Sequence, residues 1–340
     1  MCHSSSRPSS RFGSAMRALL LAGTALGMTG QAAAQTPTKV RYEEVVRSVL
    51  FVPMYLALNQ GYFKENGLDV SMKTSQGADK GMAALLSGSA DIVLIGPEAT
   101  IYVANSESPV KPKIFSALTS TDGFLLLSRK PVDKFNWGML KGKNVMSFRP
   151  GSSPDVFLET AMRKNGINPR SDLKLVNNIS PAARTGAWIA GQNDYAIFLE
   201  PEASNLESSG SGQIVASIGQ EVGAVDFTVF TSTDAYLQKN PQVAQAWVNA
   251  IAKAQKYVDV APPADLAIHI AEYFPGISQG ELVKTIERYR KLRLWKTSTV
   301  VAEKAMETMQ DMLIASGQLE KGKRVEYSQI VVSTFANAAK

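Results

Sequence analysis

The sequence predicts an α/β protein built from two similar lobes, and three observations carry that prediction. From Lys39 onward, short β-rich runs alternate with helical stretches, the pattern of parallel sheets covered by helices. Two distant segments echo one another: "LLSGSADIVLIGPEA" (85–99) and "WIAGQNDYAIFLEPEA" (188–203). In each, a glycine is followed three residues later by aspartate, then an apolar run and Pro-Glu-Ala; Gly88 and Asp91 precede Gly191 and Asp194 by 103 residues. The third observation is where proline falls. Pro53, Pro97, Pro154, Pro181 and Pro201 all stand where a helix should begin. Proline suits that position because its missing N–H would have had no helical partner and its fixed φ is already helical.

In chain order, strands are expected at 39–46, 68–74, 91–95, 112–118, 143–148, 173–176, 194–199, 213–218 and 225–231. The helix opening near Pro53 presents its first turn, with Val52, Met54 and Tyr55, to the ligand edge of the first lobe. Gly67 ends this helical region in a left-handed conformation. Ser153 and Ser180 precede their prolines as N-cap residues. After about residue 234 the pattern turns helical: "PQVAQAWVNAIAKAQKYVDV", "QGELVKTIERYRKLRLW" and "TVVAEKAMETMQDMLIASG" place apolar residues at three- and four-residue spacing, as core-facing helices do. "ERYRKLR" (287–293) reads as a solvated basic face.

With 340 residues, 45% hydrophobic and 19% charged, the chain is large enough for two cores. Its start reads as an export signal: Arg7, Arg11 and Arg17, the apolar "ALLLAGTALGM", then "AAAQ", with cleavage expected after Ala34. "MRALLLAGTALGMTGQAAAQ" is a complete signal alone, so Met16 is an alternative start. The apolar core is too short for a bilayer, which needs roughly 20 residues. Cys2 precedes it, on the wrong side for a lipid anchor. The first 35 residues hold three arginines and no acid, so removing them lowers the formal net charge from +6 to +3 and weakens any nucleic-acid reading. Cys2 and His3 leave with them. What remains has no thiol and one histidine, His269, on the apolar helical face of "DLAIHIAEYF". Thiol catalysis and a histidine-rich zinc site are not expected, and no cofactor is.

"VPMYLALNQGYFKENGLDV", "MAALLSGSADIVLIGPEA" and "GQNDYAIFLEPEAS" together resemble the nitrate/sulfonate/taurine-type substrate-binding proteins of ABC importers, a group that includes thiamine-pyrimidine-synthase-like binding proteins. The resemblance runs from about 39 to 317. It implies a bilobal periplasmic-binding fold (type II), two doubly wound α/β lobes joined by hinge crossings with a ligand cleft between them. Residues 38–123 and 229–340 would form one lobe and 124–228 the other, with crossings near 121–127 and 226–231. It further implies a monomer that captures a small molecule in the periplasm and delivers it to a permease in the cytoplasmic membrane. A sensor subunit with the same cleft is the alternative. A synthase-like enzyme, which the fold also resembles, would call for a catalytic histidine and a cysteine-rich motif.

In such lobes ligands meet strand C-terminal ends and helix N-termini, where unpaired N–H groups and a partial positive charge gather. In "FRPGSSPD" (148–155), Gly151 permits close backbone approach, Ser152 and Ser153 offer hydroxyls and amides, and Arg149 adds charge; helix capping by Ser153 is the structural alternative. There is no Walker lysine, so no nucleotide loop. "GPE" and "LEP" bring Gly96, Glu98 and Glu200 to the equivalent edge of each lobe, to accept ligand N–H groups or only to meet the helix dipole. Gln76 and Gly77 follow the second strand. Arg47, Ser48 and Phe51 lie in the first strand-to-helix loop, where family members touch ligand. Phe51, Tyr55 and Trp188 suit either stacking on a planar ring or core packing. Asp122 at the first crossing and Asp226 with Phe227 at the return are ligand or turn residues. Helix N-termini and Arg149 favour an anion such as a sulfonate; the two glutamates favour a ligand with N–H donors, such as a pyrimidine vitamin precursor. The glutamates would repel a bare oxyanion as water leaves the cleft. If Ser152, Glu98 and Glu200 serve the ligand alone, replacing them leaves the ligand-free melting point unchanged.

Overall fold

Ten strands form two five-stranded sheets in the computed structural model, which describes residues 36–340. The expected export signal lies outside the described residues. The strands are β1 Thr38–Glu44, β2 Leu68–Thr74, β3 Ile92–Ile95, β4 Pro112–Ala117, β5 Leu125–Ser128, β6 Asn144–Met146, β7 Lys174–Val176, β8 Tyr195–Phe198, β9 Gln213–Ser217 and β10 Val229–Thr233. One sheet has the order β2-β1-β3-β10-β4 and the other β7-β6-β8-β5-β9. The two orders are the same arrangement, with β1, β2 and β3 matched by β6, β7 and β8.

The sequence echo therefore has a structural counterpart. Asp91 pairs with Arg41 of β1: its carboxylate accepts the Arg41 backbone N–H at 2.8 Å and its own N–H donates to the Arg41 carbonyl at 2.8 Å. Asp194 does the same with Asn144 of β6, at 2.9 Å in both directions. In each half the aspartate ties the entry of the third strand to the first strand, at the middle of β1 and at the start of β6. The strands that follow, "IVLI" and "YAIF", are buried at all four positions, as strands covered on both faces must be.

The sheets are mixed rather than parallel. β10 runs antiparallel to β3 and β4, and β5 antiparallel to β8 and β9. Each is the first strand laid down after the chain passes from one sheet to the other, and each lies between two strands running the opposite way: β10 between the earlier β3 and β4, β5 between the later β8 and β9. Apolar patterning reports burial and carries no strand direction, so the expectation of parallel sheets fails at these two strands. β5 was expected to be crossing chain. The crossings are accordingly shorter than expected, and the strand placed at 225–231 begins only at Val229.

The prolines do open helical segments. Pro53 and Pro154 lie in the first turns of Val52–Asn59 and Ser153–Lys164, Pro97 begins Pro97–Ala104, Pro181 begins a 3₁₀ turn, and Pro201 caps Glu202–Ser208. Gly67 is left-handed, with φ 73°. After β10 come the expected helices, among them Pro241–Val260, Gln279–Lys291 and Glu303–Ala315. Trp247 of the first is wholly buried and packs on Tyr42, Phe63 and Phe230 at centroid distances of 5.3, 4.5 and 5.4 Å. "ERYRKLR" is not simply a solvated face: Tyr289 is fully buried, Arg290 donates to the carbonyls of Val258 and Ala261, and Arg288 reaches Glu200. No helix among the described residues is long and apolar enough to cross a membrane.

Candidate functional site

A cavity of about 510 Å³ lies between the two sheets. The chain following six of the strands, β1, β2, β3, β6, β7 and β8, contributes to its wall. Val45–Arg47, Leu50 and Phe51 follow β1, residues 76–80 follow β2, and Gly96 and Glu98 follow β3. From the other sheet come Phe148, Arg149 and residues 152–154 after β6, residues 177–181 and Arg184 after β7, and residues 198–202 around the end of β8. Phe124, Phe227 and Thr228 close it from the crossings.

Of the sequence-derived candidates, Arg47, Phe51, Gln76, Gly77, Gly96, Glu98, Arg149, Ser152, Ser153, Glu200 and Phe227 line this cavity. Several are committed to the protein itself. Glu98 is 3% exposed and bridges the sheets: its carboxylate accepts the Ser153 backbone N–H at 3.1 Å and the Ser153 hydroxyl in a second, short bond. Burial pushes its carboxyl up, and the two Ser153 bonds oppose that. Gly96 makes the arrangement possible, because a Cβ there would lie 2.0 Å from Glu98 Oε2 and 2.6 Å from Ser153 Oγ. Ser153 is thus the first residue of its helix and holds Glu98. Ser152 occupies the N-cap position instead, but its hydroxyl donates to the Arg149 carbonyl at 2.6 Å rather than capping. Ser180 stands at its expected N-cap position without a side-chain cap.

Glu200 is equally engaged. Its carboxylate accepts from the Ser204 hydroxyl and from Arg288, each at 2.8 Å, and its backbone N–H donates to Tyr289. Arg47 donates to Glu44 at 2.6 Å and lies 5.5 Å from the centroids of Tyr55 and Tyr273. Burial raises the Glu44 carboxyl, with Tyr55 and Arg47 holding it back.

Five candidates do not line the cavity. Tyr55 donates to Glu44 at 2.7 Å and stacks on Tyr273 at 4.6 Å, so its ring face is already used. Ser48 is buried and donates to the Glu200 carbonyl at 2.8 Å, joining loops of the two sheets. Trp188 is wholly buried in the core of the second sheet, donating to the Ser211 carbonyl with Arg129 over its ring at 4.1 Å. Asp122 is wholly buried at the crossing, where one oxygen accepts the Phe124 N–H; desolvation lifts its carboxyl to about 7. Gly151 (φ 78°) packs against the chain beneath, its carbonyl accepting from Tyr102 at 2.7 Å. Asp226, read as ligand or turn, instead pairs with Lys296 at 2.5 Å.

The sequence reading missed Arg184 and Glu202. Arg184 lines the cavity yet is 2% exposed, with Phe148 beneath its guanidinium at 3.7 Å. Glu202 is the true counterpart of Glu98 in the Pro-Glu-Ala echo. The echo itself contained that signal, and the proline rule pointed to Arg184 through Pro181.

Residues 49–264 match the family model described as NMT1/THI5 like. YtlA, a Bacillus subtilis protein named for a binding function, is 38% identical over 303 residues, covering 89% of this chain and 90% of the relative. Among solved structures, the alkanesulfonate-binding protein SsuA from Xanthomonas axonopodis pv. citri bound to MOPS superposes with a TM-score of 0.73 at 19% identity, over 88% of this chain and 99% of that one. The periplasmic nitrate-binding protein NrtA from Synechocystis PCC 6803 gives 0.72 at 15% identity, over 88% and 87%. These structural likenesses establish the periplasmic-binding-protein fold.

Proposed function

The chain belongs to the NMT1/THI5-like family, and from that premise we propose that it is an exported solute-binding protein that captures a small polar organic molecule and delivers it to an ABC permease. The cavity between the sheets carries this reading: two matching halves present their strand C-terminal ends to one shared space, joined by two crossings on which they can hinge. Residues 38–123 with 229–340 are the proposed first lobe and 124–228 the second. Five phenylalanines line the space, which favours a ligand with a planar organic body over nitrate or bicarbonate. The expected export signal and the likeness to periplasmic binding proteins support a periplasmic location.

Melting curves measured against sulfonates, pyrimidines, flavins and amino acids test the proposal. A true ligand at 100 times its dissociation constant stabilises the folded form by about 2.7 kcal/mol. If no organic solute raises the melting temperature while inorganic oxyanions do, the proposed ligand class is wrong.

A further inference from the structure

Arg184 is a buried cation with no carboxylate in contact among the described residues. Its Nη groups donate to the backbone carbonyls of Ser147 and, at 2.7 Å, of Ile197, while its Nε–H has no partner. Among the described residues no carboxylate lies within 4.0 Å of it. Holding a guanidinium out of water against carbonyls and aromatic rings, with no carboxylate in contact, is costly, and a hydrogen-bond acceptor reaching it would recover part of that cost. Glu202 lines the same cavity, half-buried, and no hydrogen bond from the described residues reaches its carboxylate. Burial lowers Arg184 to about 9 and raises Glu202 to about 6, each charge partly offsetting the other's shift. Both groups are therefore charged at neutral pH.

The remaining charges of the cavity are spoken for or lie at its mouth. Glu98 is held by Ser153, Glu200 by Ser204 and Arg288, and Arg47 by Glu44. Arg149 faces Asp79 at 3.8 Å, both more than half exposed, and Lys80 is exposed. Arg184 and Glu202 are thus the cation and the anion of the cavity that no polar side chain among the described residues holds, and they do not touch one another, beside phenylalanine walls.

We propose that Arg184 and Glu202 read the two halves of one polar edge on a net-neutral planar ligand, with an acceptor facing Arg184 and an N–H donor facing Glu202. A simple anion gains at Arg184 and is repelled by Glu202; a simple cation meets the reverse. This inference rests on the binding reading above and narrows its ligand.

Three probes of one shape separate these cases: benzamide offers an acceptor and a donor, benzoate only acceptors with a negative charge, and benzamidine only donors with a positive charge. Calorimetric titration at constant ionic strength should show benzamide binding more tightly than either charged probe. Glu202→Gln, which breaks no hydrogen bond within the protein, should weaken benzamide about tenfold, the loss of one charge-assisted bond, and should improve benzoate. Arg184→Met should weaken benzamide and improve benzamidine; should it fail to fold, Glu202→Gln decides alone. Tighter binding of benzoate or benzamidine to the unmodified protein would overturn the inference while leaving solute binding intact. Benzamide affinity unchanged by Glu202→Gln, or no binding of any probe, would overturn it too, and the wider melting screen would then judge the binding reading separately.

Discussion

Asp122 shows how a residue read as a ligand contact can instead be a stability determinant. Its carboxyl is raised to about 7 because the side chain is wholly desolvated, with Oδ2 unpartnered and only the Phe124 N–H, and the neighbouring Gly123 backbone, favouring the charge. An acid held neutral in the folded state binds its proton there more tightly than in the unfolded chain. Its contribution to stability is complete below about pH 4 and is lost as pH rises through about 7. Asp122→Asn should therefore be more stable than the unmodified protein at pH 8, by about 1–4 kcal/mol, with the advantage vanishing towards pH 4. Urea unfolding at both pH values checks this, and an equal effect at both would refute it. Sequence could not reveal this residue's role, because "TDGF" looks like a turn and nothing local says that helix and strand close over it. Arg184 was hidden for a related reason: an arginine near a helix start reads as solvated until the fold shows it buried.

At the scale of elements, the helix Ser153–Lys164 is anchored through its first residue to a carboxylate from the opposite sheet. Removing that carboxylate strands the Ser153 N–H and hydroxyl at a buried junction. Glu98→Ala should lower the ligand-free stability by about 1.5–3 kcal/mol, whereas Glu202→Gln should not lower it at neutral pH, because burial already disfavours the Glu202 charge and no hydrogen bond among the described residues holds it. Chemical denaturation of both variants distinguishes a structural glutamate from a ligand-facing one; equal effects would mean the assignment is wrong. The expectation that Glu98 and Glu200 serve the ligand without supporting the fold does not survive their bonds to Ser153, Ser204 and Arg288. Helix starts were legible because proline acts locally. Most strands were too, because apolar runs bounded by glycine are local signals. β5 was missed: "LLLS" is four residues long, and its place in a sheet depends on β8 and β9, which come about 70 and 90 residues later.

For the whole molecule, the repeated strand order explains why one cavity collects strand ends from both halves. Two related sheets face each other, and the bonds across the gap, from Ser48 to the Glu200 carbonyl and from Ser153 to Glu98, draw the same loops together that line the space. The echo in the sequence announced this arrangement, while the charge pattern inside it emerged only once partners were assigned in three dimensions. Another hollow of about 500 Å³, lined by Arg290, Arg293, Trp295 and Lys296, is an alternative ligand site. Crystallising the protein with the compound that most raises its melting temperature is the most direct test. The account predicts that compound between the two sheets, touched by residues of both, with Arg184 and Glu202 on its polar edge. Finding it in the Arg290 hollow, or on one sheet alone, would contradict capture in the central cleft.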